Sequence, residues 1–243
     1  IREPHLSATI LIFAAAAAIL FAAGVKLFWF ALGGGLGAVG VWLLLVVVGY
    51  NGSRIEMWKN PWADPGDKGY QIVQSLYAVA SGGLSGLGFG MSRQKFAYLP
   101  EEQNDYIFSI VCEEMGFIGA GIIIALFALL VIRGYWLALH ARDRFGALTI
   151  VGITTLMAVQ VFLNIAVVTN LIPSTGIALP FFSYGGTALV IQLAEMGIVL
   201  SISRQIPAPP EPAKKPLTRA EKKALKKAKK AEAKAAKAAE KAE

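Results

Sequence analysis

The sequence has 243 residues, of which 56% are hydrophobic and 16% are charged, and its mean hydropathy is +0.57. Since a soluble domain of this length is rarely more than about half apolar, the composition favours a membrane protein. The formal net charge is +7, but twelve of the 23 basic residues and five of the 16 acidic residues follow position 206. The basic excess therefore belongs entirely to the C-terminal tail, and no nucleic-acid partner is expected.

Six stretches of the chain are apolar over about 20 residues, which is the length of a membrane-spanning helix. They are Leu6–Val25, Leu27–Tyr50, Tyr70–Gly88, Tyr106–Ile132, Leu148–Asn170 and Gly186–Ser203. The sequence therefore predicts an all-α integral membrane protein with six transmembrane helices in residues 1–206. The Lys/Ala/Glu-rich tail, Pro207–Glu243, has two open interpretations: a solvated, partly helical segment, or a segment attracted to anionic lipids of the inner leaflet.

The loop charges predict an orientation, because Lys and Arg concentrate on the cytoplasmic side of membrane proteins. Arg142 and Arg144 lie between the fourth and fifth spans, just after Arg133, and the basic tail follows the sixth span. If the six spans simply alternate, both termini and the loop 51–69 are cytoplasmic. The same scheme places on the outer face Lys26, the loop 93–105 and the loop 172–185.

Polar side chains inside the spans are costly in lipid and are therefore functional candidates. These intramembrane candidates are Glu114, Gln160, Asn164 and Glu195. Glu195 lies near the middle of its span and is expected to face the interior of the helix bundle. Glu113 and Glu114 are adjacent on one helix, so we expect at most one of them to face a cavity beside Asp105.

The predicted outer loop before the fourth span is rich in charged and aromatic residues. Asp105 directly precedes an apolar helix, so it is either a helix N-cap or a general base whose pKa is tuned by partial burial. Arg93 and Lys95 are two residues apart and would both face a phosphorylated substrate if the chain is extended there. The apolar, rigid segment Pro173–Thr187 favours a re-entrant segment that lines a cavity.

A dozen short motifs follow one another in a fixed order between Glu3 and Arg204. They include Asn60–Pro65 (NPWADP), Ser81–Gly88 (SGGLSGLG), Ser92–Lys95 (SRQK), Tyr98–Glu101 (YLPE), Asp105–Phe108 (DYIF), Glu113–Gly116 (EEMG), Asn164, Pro173–Gly176 (PSTG) and Leu179–Gly186 (LPFFSYGG). With these motifs the chain resembles the SEDS family of membrane-embedded peptidoglycan polymerases, which includes FtsW, RodA and SpoVE. The SRQK and YLP motifs are more similar to FtsW or SpoVE than to RodA.

The resemblance implies a ten-span fold with both termini cytoplasmic, of which the first four spans are missing here. It also implies an inverting glycosyltransferase of the bacterial plasma membrane that polymerises lipid II into a growing glycan strand. The family's essential aspartate corresponds to Asp105, which becomes the predicted catalytic base on the extracytoplasmic side. The predicted substrate-binding residues are Arg93, Lys95, Glu101, Ser183 and Tyr184, the first two as diphosphate contacts.

The same resemblance implies a class B penicillin-binding protein, a transpeptidase, as partner. No cofactor and no metal ligand set are evident, although a divalent cation is left open. Gln103-Asn104 replaces the usual His-Thr before the aspartate, a departure that leaves Asp105 itself unchanged. Two other functions stay open: a lipid II flippase that uses Glu195 and the polar spans, and a non-catalytic scaffold that recruits the transpeptidase. Without the missing spans, the 243-residue chain is expected to be inactive alone.

Overall fold

The regular structure of the chain is entirely helical over the residues that the computed structural model describes, which are 6–46, 52–67, 69–95, 99 and 103–206. The helices are α1 (Leu6–Ala22), α2 (Leu27–Val46), α3 (Gly52–Lys59), α4 (Tyr70–Ser81), α5 (Ile107–His140), α6 (Arg144–Val168) and α7 (Gly186–Ser203), with a 3₁₀ turn at Pro61–Ala63. In this part of the chain, α5, α6 and α7 are long and apolar enough to cross a membrane, and Ala8–Ala22 and Leu27–Gly37 are shorter apolar helices. The predicted all-α membrane class is confirmed. The tail, Pro207–Glu243, lies outside the described residues.

The antiparallel pair α5 and α6 forms the centre of the fold. The short turn between them ends at Asp143, whose side chain caps α6 by accepting a hydrogen bond of 2.8 Å from the Gly146 amide. The helices approach closely at Gly134, where a Cβ would lie 2.4 Å from the hydroxyl oxygen of Thr154. Such contacts between small residues are typical of membrane helices, which associate by close packing rather than by burial from water.

Helix α1 packs along α6 in the opposite direction. Leu11 shares a buried cluster with Leu163, whereas the side chain of Ile19 lies against Gly152. Arg144 donates a hydrogen bond to the carbonyl of Ala23, so the turn after α1 lies beside the turn between α5 and α6. We call this end of the bundle the Arg144 end, and the opposite end, where α6 finishes, the Asp105 end.

Helix α4 differs from the third predicted span, Tyr70–Gly88. It has 12 residues, or about 18 Å at 1.5 Å per residue, against about 30 Å for the hydrocarbon core. One face of α4 is buried against α5, and it ends at Ser81 because a glycine-rich turn follows. The buried Ser75 hydroxyl ties three helices together at the Asp105 end, through Ser109 on α5 at 2.7 Å and the Val168 carbonyl on α6 at 3.0 Å.

The structure places the first two loops at other ends of the bundle than the scheme of six alternating spans predicts. Lys26 was predicted on the outer face, but its turn lies at the basic Arg144 end. The loop 51–69 was predicted on the inner face, but α3 contacts Asn170 and Ser174 at the Asp105 end. The N-terminus was predicted on the inner face; residues 1–5 lie outside the described residues, and α1 begins with Leu6 at the end of the helix opposite Ala23. These differences arise because the scheme counts six alternating spans, whereas α4, with 12 residues, is too short to cross a membrane.

Candidate active site

Helix α5 is interrupted at Gly116, which has φ 65° and ψ −169°. A break of this kind leaves backbone groups without their helical partners, and in a membrane those groups must find others. Four backbone hydrogen bonds to the turn after α4 supply them. The pairs are Leu87 N to Glu113 O, Gly88 N to Glu114 O, Phe117 N to Gly83 O and Ile118 N to Leu84 O, all between 2.9 and 3.1 Å. The glycine-rich turn therefore completes the hydrogen bonding of the broken helix.

Glycine is required on both sides of this junction. A Cβ on Gly82 would lie 1.9 Å from the Cys112 carbonyl oxygen, and one on Gly86 would lie 2.1 Å from the Glu114 carbonyl oxygen. These contacts are with backbone atoms, which cannot rotate away as a flexible side chain can. The SGGLSGLG and EEMG motifs are thus two halves of one packing arrangement.

The carboxylate of Glu113 organises the turn that follows. It is 1% exposed and accepts hydrogen bonds from the Ser92 hydroxyl at 2.5 Å, the Arg93 amide at 3.1 Å and the Gln94 amide at 3.3 Å. Three donors satisfy the buried carboxylate and bend Ser92–Lys95 into a turn. The condition stated for Arg93 and Lys95, an extended chain, is therefore not met.

The neighbouring Glu114 faces the same turn. Its carboxylate forms an ion pair of 2.9 Å with the Lys95 ammonium group, whereas the Arg93 side chain is exposed. We expected at most one of these two glutamates to face a cavity beside Asp105. In the structure, both carboxylates accept hydrogen bonds from Ser92–Lys95. Substrate binding by Arg93 and Lys95 stays a prediction.

Asp105 lies at the junction of three segments, and Asn164 of α6 holds them together. The Asn164 amide is 1% exposed and donates to the Asp105 carbonyl at 2.7 Å and to the Ile177 carbonyl at 2.8 Å. The half-buried Asp105 carboxylate is directed at Gly176, where a Cβ would lie 3.4 Å from Oδ2. Asn164, selected from the sequence as an intramembrane polar residue, thus positions the backbone of the predicted catalytic residue.

The segment from Pro173 to Gly185 is tied to the residues just before Asp105. Ser183 donates to the Asn104 carbonyl at 2.6 Å and accepts from the Leu179 amide at 2.7 Å. The Tyr184 amide donates to the Gln103 carbonyl at 2.7 Å, and its side chain is 79% exposed. Both predicted residues therefore lie near Asp105, with Ser183 engaged in backbone contacts and the Tyr184 ring accessible.

The N-cap interpretation of Asp105 is wrong. Helix α5 begins at Ile107, and its N-cap residue is Tyr106, which makes no side-chain capping hydrogen bond. Burial and the neighbouring Asp105 carboxylate raise the pKa of the Tyr106 phenol, while the positive charge of Arg54 opposes that rise. The phenol is therefore neutral near pH 7, and a cation from α3 lies within electrostatic range.

Helix α3 is the part of this site that sequence reasoning missed. Trp58 donates to the Asn170 carbonyl at 3.1 Å, the Asn170 amide donates back to the Trp58 carbonyl at 3.4 Å, and Arg54 donates to the Ser174 carbonyl at 3.4 Å. The sequence feature that could have revealed the position of α3 was the glycine cluster Gly82–Gly90. It limits α4 to a length that cannot span a bilayer.

The remaining predicted site residues do not take part in the contacts around Asp105 described above, or they lie outside the described residues. Gln160 and Glu195 are half-buried on α6 and α7, and Glu101 lies outside the described residues. In the described ranges, no group of three His, Cys, Asp or Glu side chains is arranged to hold a metal ion. The divalent cation left open by the sequence stays a prediction.

The two hydrogen bonds donated by the Asn164 side chain, which we call the Asn164 clamp, predict a difference in stability between two matched variants. Asn164→Leu is expected to lower the free energy of unfolding by about 2 kcal/mol or more, because two buried carbonyls lose their donor. Gln160→Leu, one turn earlier, is expected to change it by less than about 0.5 kcal/mol, because the Gln160 side chain makes no hydrogen bond within the described part of the chain. Unfolding in detergent micelles measures both. Equal losses would show that the clamp contributes nothing specific.

These features define a polytopic helical membrane protein with a broken helix and a carboxylate held at one end of the bundle. The chain belongs to the FtsW/RodA/SpoVE family, described as cell cycle proteins, whose family model matches residues 1–207. The predicted family is confirmed.

Two curated relatives show the extent of the similarity. Stage V sporulation protein E of Bacillus subtilis strain 168 is 50% identical over 186 residues, which are 76% of this chain and 51% of that relative. The probable peptidoglycan glycosyltransferase FtsW of Geobacter sp. strain M18 is 44% identical over 207 residues, which are 85% of this chain and 56% of that relative. The chain spans about half the length of the curated relatives it matches.

Two solved structures share the fold. One comes from a peptidoglycan synthase complex that was solved to show the structural coordination of polymerization and crosslinking. It is 28% identical with a TM-score of 0.66, covering 84% of this chain and 57% of that one. The other is a mutant of the rod shape determining protein RodA from Thermus thermophilus, 26% identical with a TM-score of 0.55, covering 85% of this chain and 52% of that one.

Proposed function

We propose that the chain carries the catalytic carboxylate of a peptidoglycan glycosyltransferase that polymerises lipid II. The observation that carries this proposal is Asp105, half-buried, held through its backbone by Asn164 and directed at Gly176. Relatives named as probable peptidoglycan glycosyltransferases support the reaction class. The proposal concerns the full-length gene product, of which this chain supplies the Asp105 site.

Asp105 acts as the general base in this proposal. The 4-hydroxyl oxygen of the acceptor glycan attacks the anomeric carbon of the lipid-linked donor, and the proton of that hydroxyl passes to the Asp105 carboxylate. The bond from the anomeric carbon to the diphosphate oxygen breaks with its electron pair, and undecaprenyl diphosphate leaves. Attack opposite to the leaving group inverts the anomeric centre. Diphosphate is a good leaving group, so a second carboxylic acid is not needed.

The Asp105 end is the extracytoplasmic end in this proposal. The Arg144 end carries Arg142, Arg144 and Lys26, and such basic turns concentrate on the cytoplasmic side. A transpeptidase of the class B penicillin-binding proteins is the proposed partner, supported by the structural neighbour from a synthase complex of polymerization and crosslinking. The basic tail adds attraction to anionic inner-leaflet lipids.

The test is a polymerisation assay with labelled lipid II, using the full-length gene product with its transpeptidase partner in proteoliposomes. The proposal expects glycan strands that grow with time and release of undecaprenyl diphosphate. A flippase instead predicts no glycan, with translocation of lipid II that slows on changing Glu195 to glutamine. A scaffold predicts neither activity.

A further inference from the structure

The position of α3 brings a cation into the surroundings of Asp105. The reciprocal hydrogen bonds between Trp58 and Asn170 fix the C-terminal half of α3 to the end of α6. Arg54, one turn earlier on α3, extends its guanidinium group to the Ser174 carbonyl. Three hydrogen bonds between α3 and the segment that follows α6 therefore define where this guanidinium lies.

Ser174 is close to the catalytic carboxylate along the chain. Gly176, two residues further and so within about 7 Å, has its Cβ position 3.4 Å from Asp105 Oδ2. The charge of Arg54 also acts on the phenol of Tyr106, the residue directly after Asp105. The hydrogen bond to the Ser174 carbonyl therefore places Arg54 beside the site, and the effect of its charge on the pKa of Tyr106 agrees with that position.

Arg54 is available to a ligand, unlike Lys95. Lys95 is paired with Glu114 at 2.9 Å. Arg54 is exposed, and within the described ranges no carboxylate lies within ion-pair distance of it. A guanidinium offers a planar fork of donors that fits phosphate oxygens bidentately, so it suits a diphosphate better than an ammonium does.

We propose that Arg54 binds the diphosphate of the lipid-linked donor and stabilises it as it leaves. This inference rests on the proposed function, because it needs a diphosphate leaving group. As the anomeric carbon–oxygen bond breaks, the electron pair stays on the diphosphate oxygen, and Arg54 faces the charge that develops there. The proton taken by Asp105 comes from the acceptor hydroxyl, so the two side chains serve the two ends of one displacement. No additional reactant is required.

Binding of product lipids tests the inference without turnover. The full-length gene product carrying Asp105→Asn is titrated with undecaprenyl diphosphate and, separately, with undecaprenyl monophosphate. Adding Arg54→Gln is expected to weaken diphosphate binding by about tenfold or more and monophosphate binding by less than about threefold. Arg54→Lys is expected to fall between, because it keeps the charge and loses the fork. A purely structural role of Arg54 would weaken both lipids alike.

Lys59→Gln is the matched control, since Lys59 is an exposed cation in the last turn of the same helix. It is expected to leave both affinities unchanged. The inference is overturned if Arg54→Gln binds undecaprenyl diphosphate as tightly as its parent, or if both lipids are weakened equally. Polymerisation of labelled lipid II by the unsubstituted protein is scored in parallel. Its absence counts against the proposed function, whereas an unchanged diphosphate affinity counts against Arg54 alone.

Discussion

Asp105→Asn is expected to lower the rate of glycan polymerisation by about a thousandfold in the full-length gene product, within the usual range for losing a general base. The amide keeps the size of the side chain but does not take up a proton near neutral pH. Asn164 holds Asp105 through its backbone carbonyl, so the substitution leaves that clamp in place. The loss should therefore appear in the rate and not in the stability of the protein.

Asp143→Asn provides the matched control for this experiment. The exchange of side chains is the same, but Asp143 lies at the Arg144 end, where it caps α6. Asparagine is about as good an N-cap as aspartate, so stability and polymerisation should stay near the parent values. Strands made from labelled lipid II at the parent rate by the Asp105→Asn protein would refute the assignment of the base.

The long apolar helices were predictable because hydropathy depends on composition alone. The predicted spans at Leu27, Tyr106, Leu148 and Gly186 begin within four residues of α2, α5, α6 and α7. The family motifs around Asp105 were equally visible, and the structure brings three of them together through Asn164, Gly176 and Ser183.

The side of the membrane on which each loop lies was harder to predict. One segment that is wrongly counted as a span reverses the predicted side of every loop before it. Tyr70–Gly88 is apolar enough to be counted, yet its helix ends at Ser81. The prediction therefore placed Arg54 at the opposite end from Asp105, whereas the structure places both at the same end. Charge patterns alone did not reveal the error, since each of the first two loops carries basic residues.

The interruption of α5 was also invisible to hydropathy. The run from Ile107 to His140 reads as one continuous apolar helix, and only the φ of Gly116 reveals the break. The two glutamates just before the break, Glu113 and Glu114, looked like intramembrane charges that need a functional explanation. The structure gives them a local one, because Glu113 caps the Ser92–Lys95 turn and Glu114 pairs with Lys95.

Gly116→Ala is expected to lower the free energy of unfolding by more than about 3 kcal/mol, the sum of backbone strain and overpacking. Its φ of 65° with ψ of −169° is accessible essentially to glycine alone. An added Cβ would lie 2.3 Å from the Gly86 amide nitrogen and 2.6 Å from the Leu84 carbonyl oxygen. Both are backbone atoms of the turn after α4, so relief of the clash requires separating the turn from the broken helix.

Gly121→Ala is the control within the same helix, because a Cβ at Gly121 meets no atom within 4 Å. It should leave stability unchanged or raise it by about 0.5–1 kcal/mol, the usual gain of alanine over glycine in a helix. Unfolding in mixed micelles compares the two variants, and hydrogen exchange at the Leu87 and Phe117 amides locates the effect. Similar stabilities for both variants would show that the break at Gly116 is not an obligatory part of the fold.

Gly86 lies on the other side of the junction from Gly116, so the two substitutions can be tested alone and together. Gly86→Ala alone should be comparably destabilising, since its Cβ would lie 2.1 Å from the Glu114 carbonyl oxygen and its φ is 78°. Once either substitution has separated the turn from α5, the second no longer meets a closed junction. The double variant should therefore lose less stability than the two single losses added together, by about 1 kcal/mol or more. Strict additivity would mean that the glycine-rich turn and the broken helix are independent structures, and that Asp105 is positioned without their joint support.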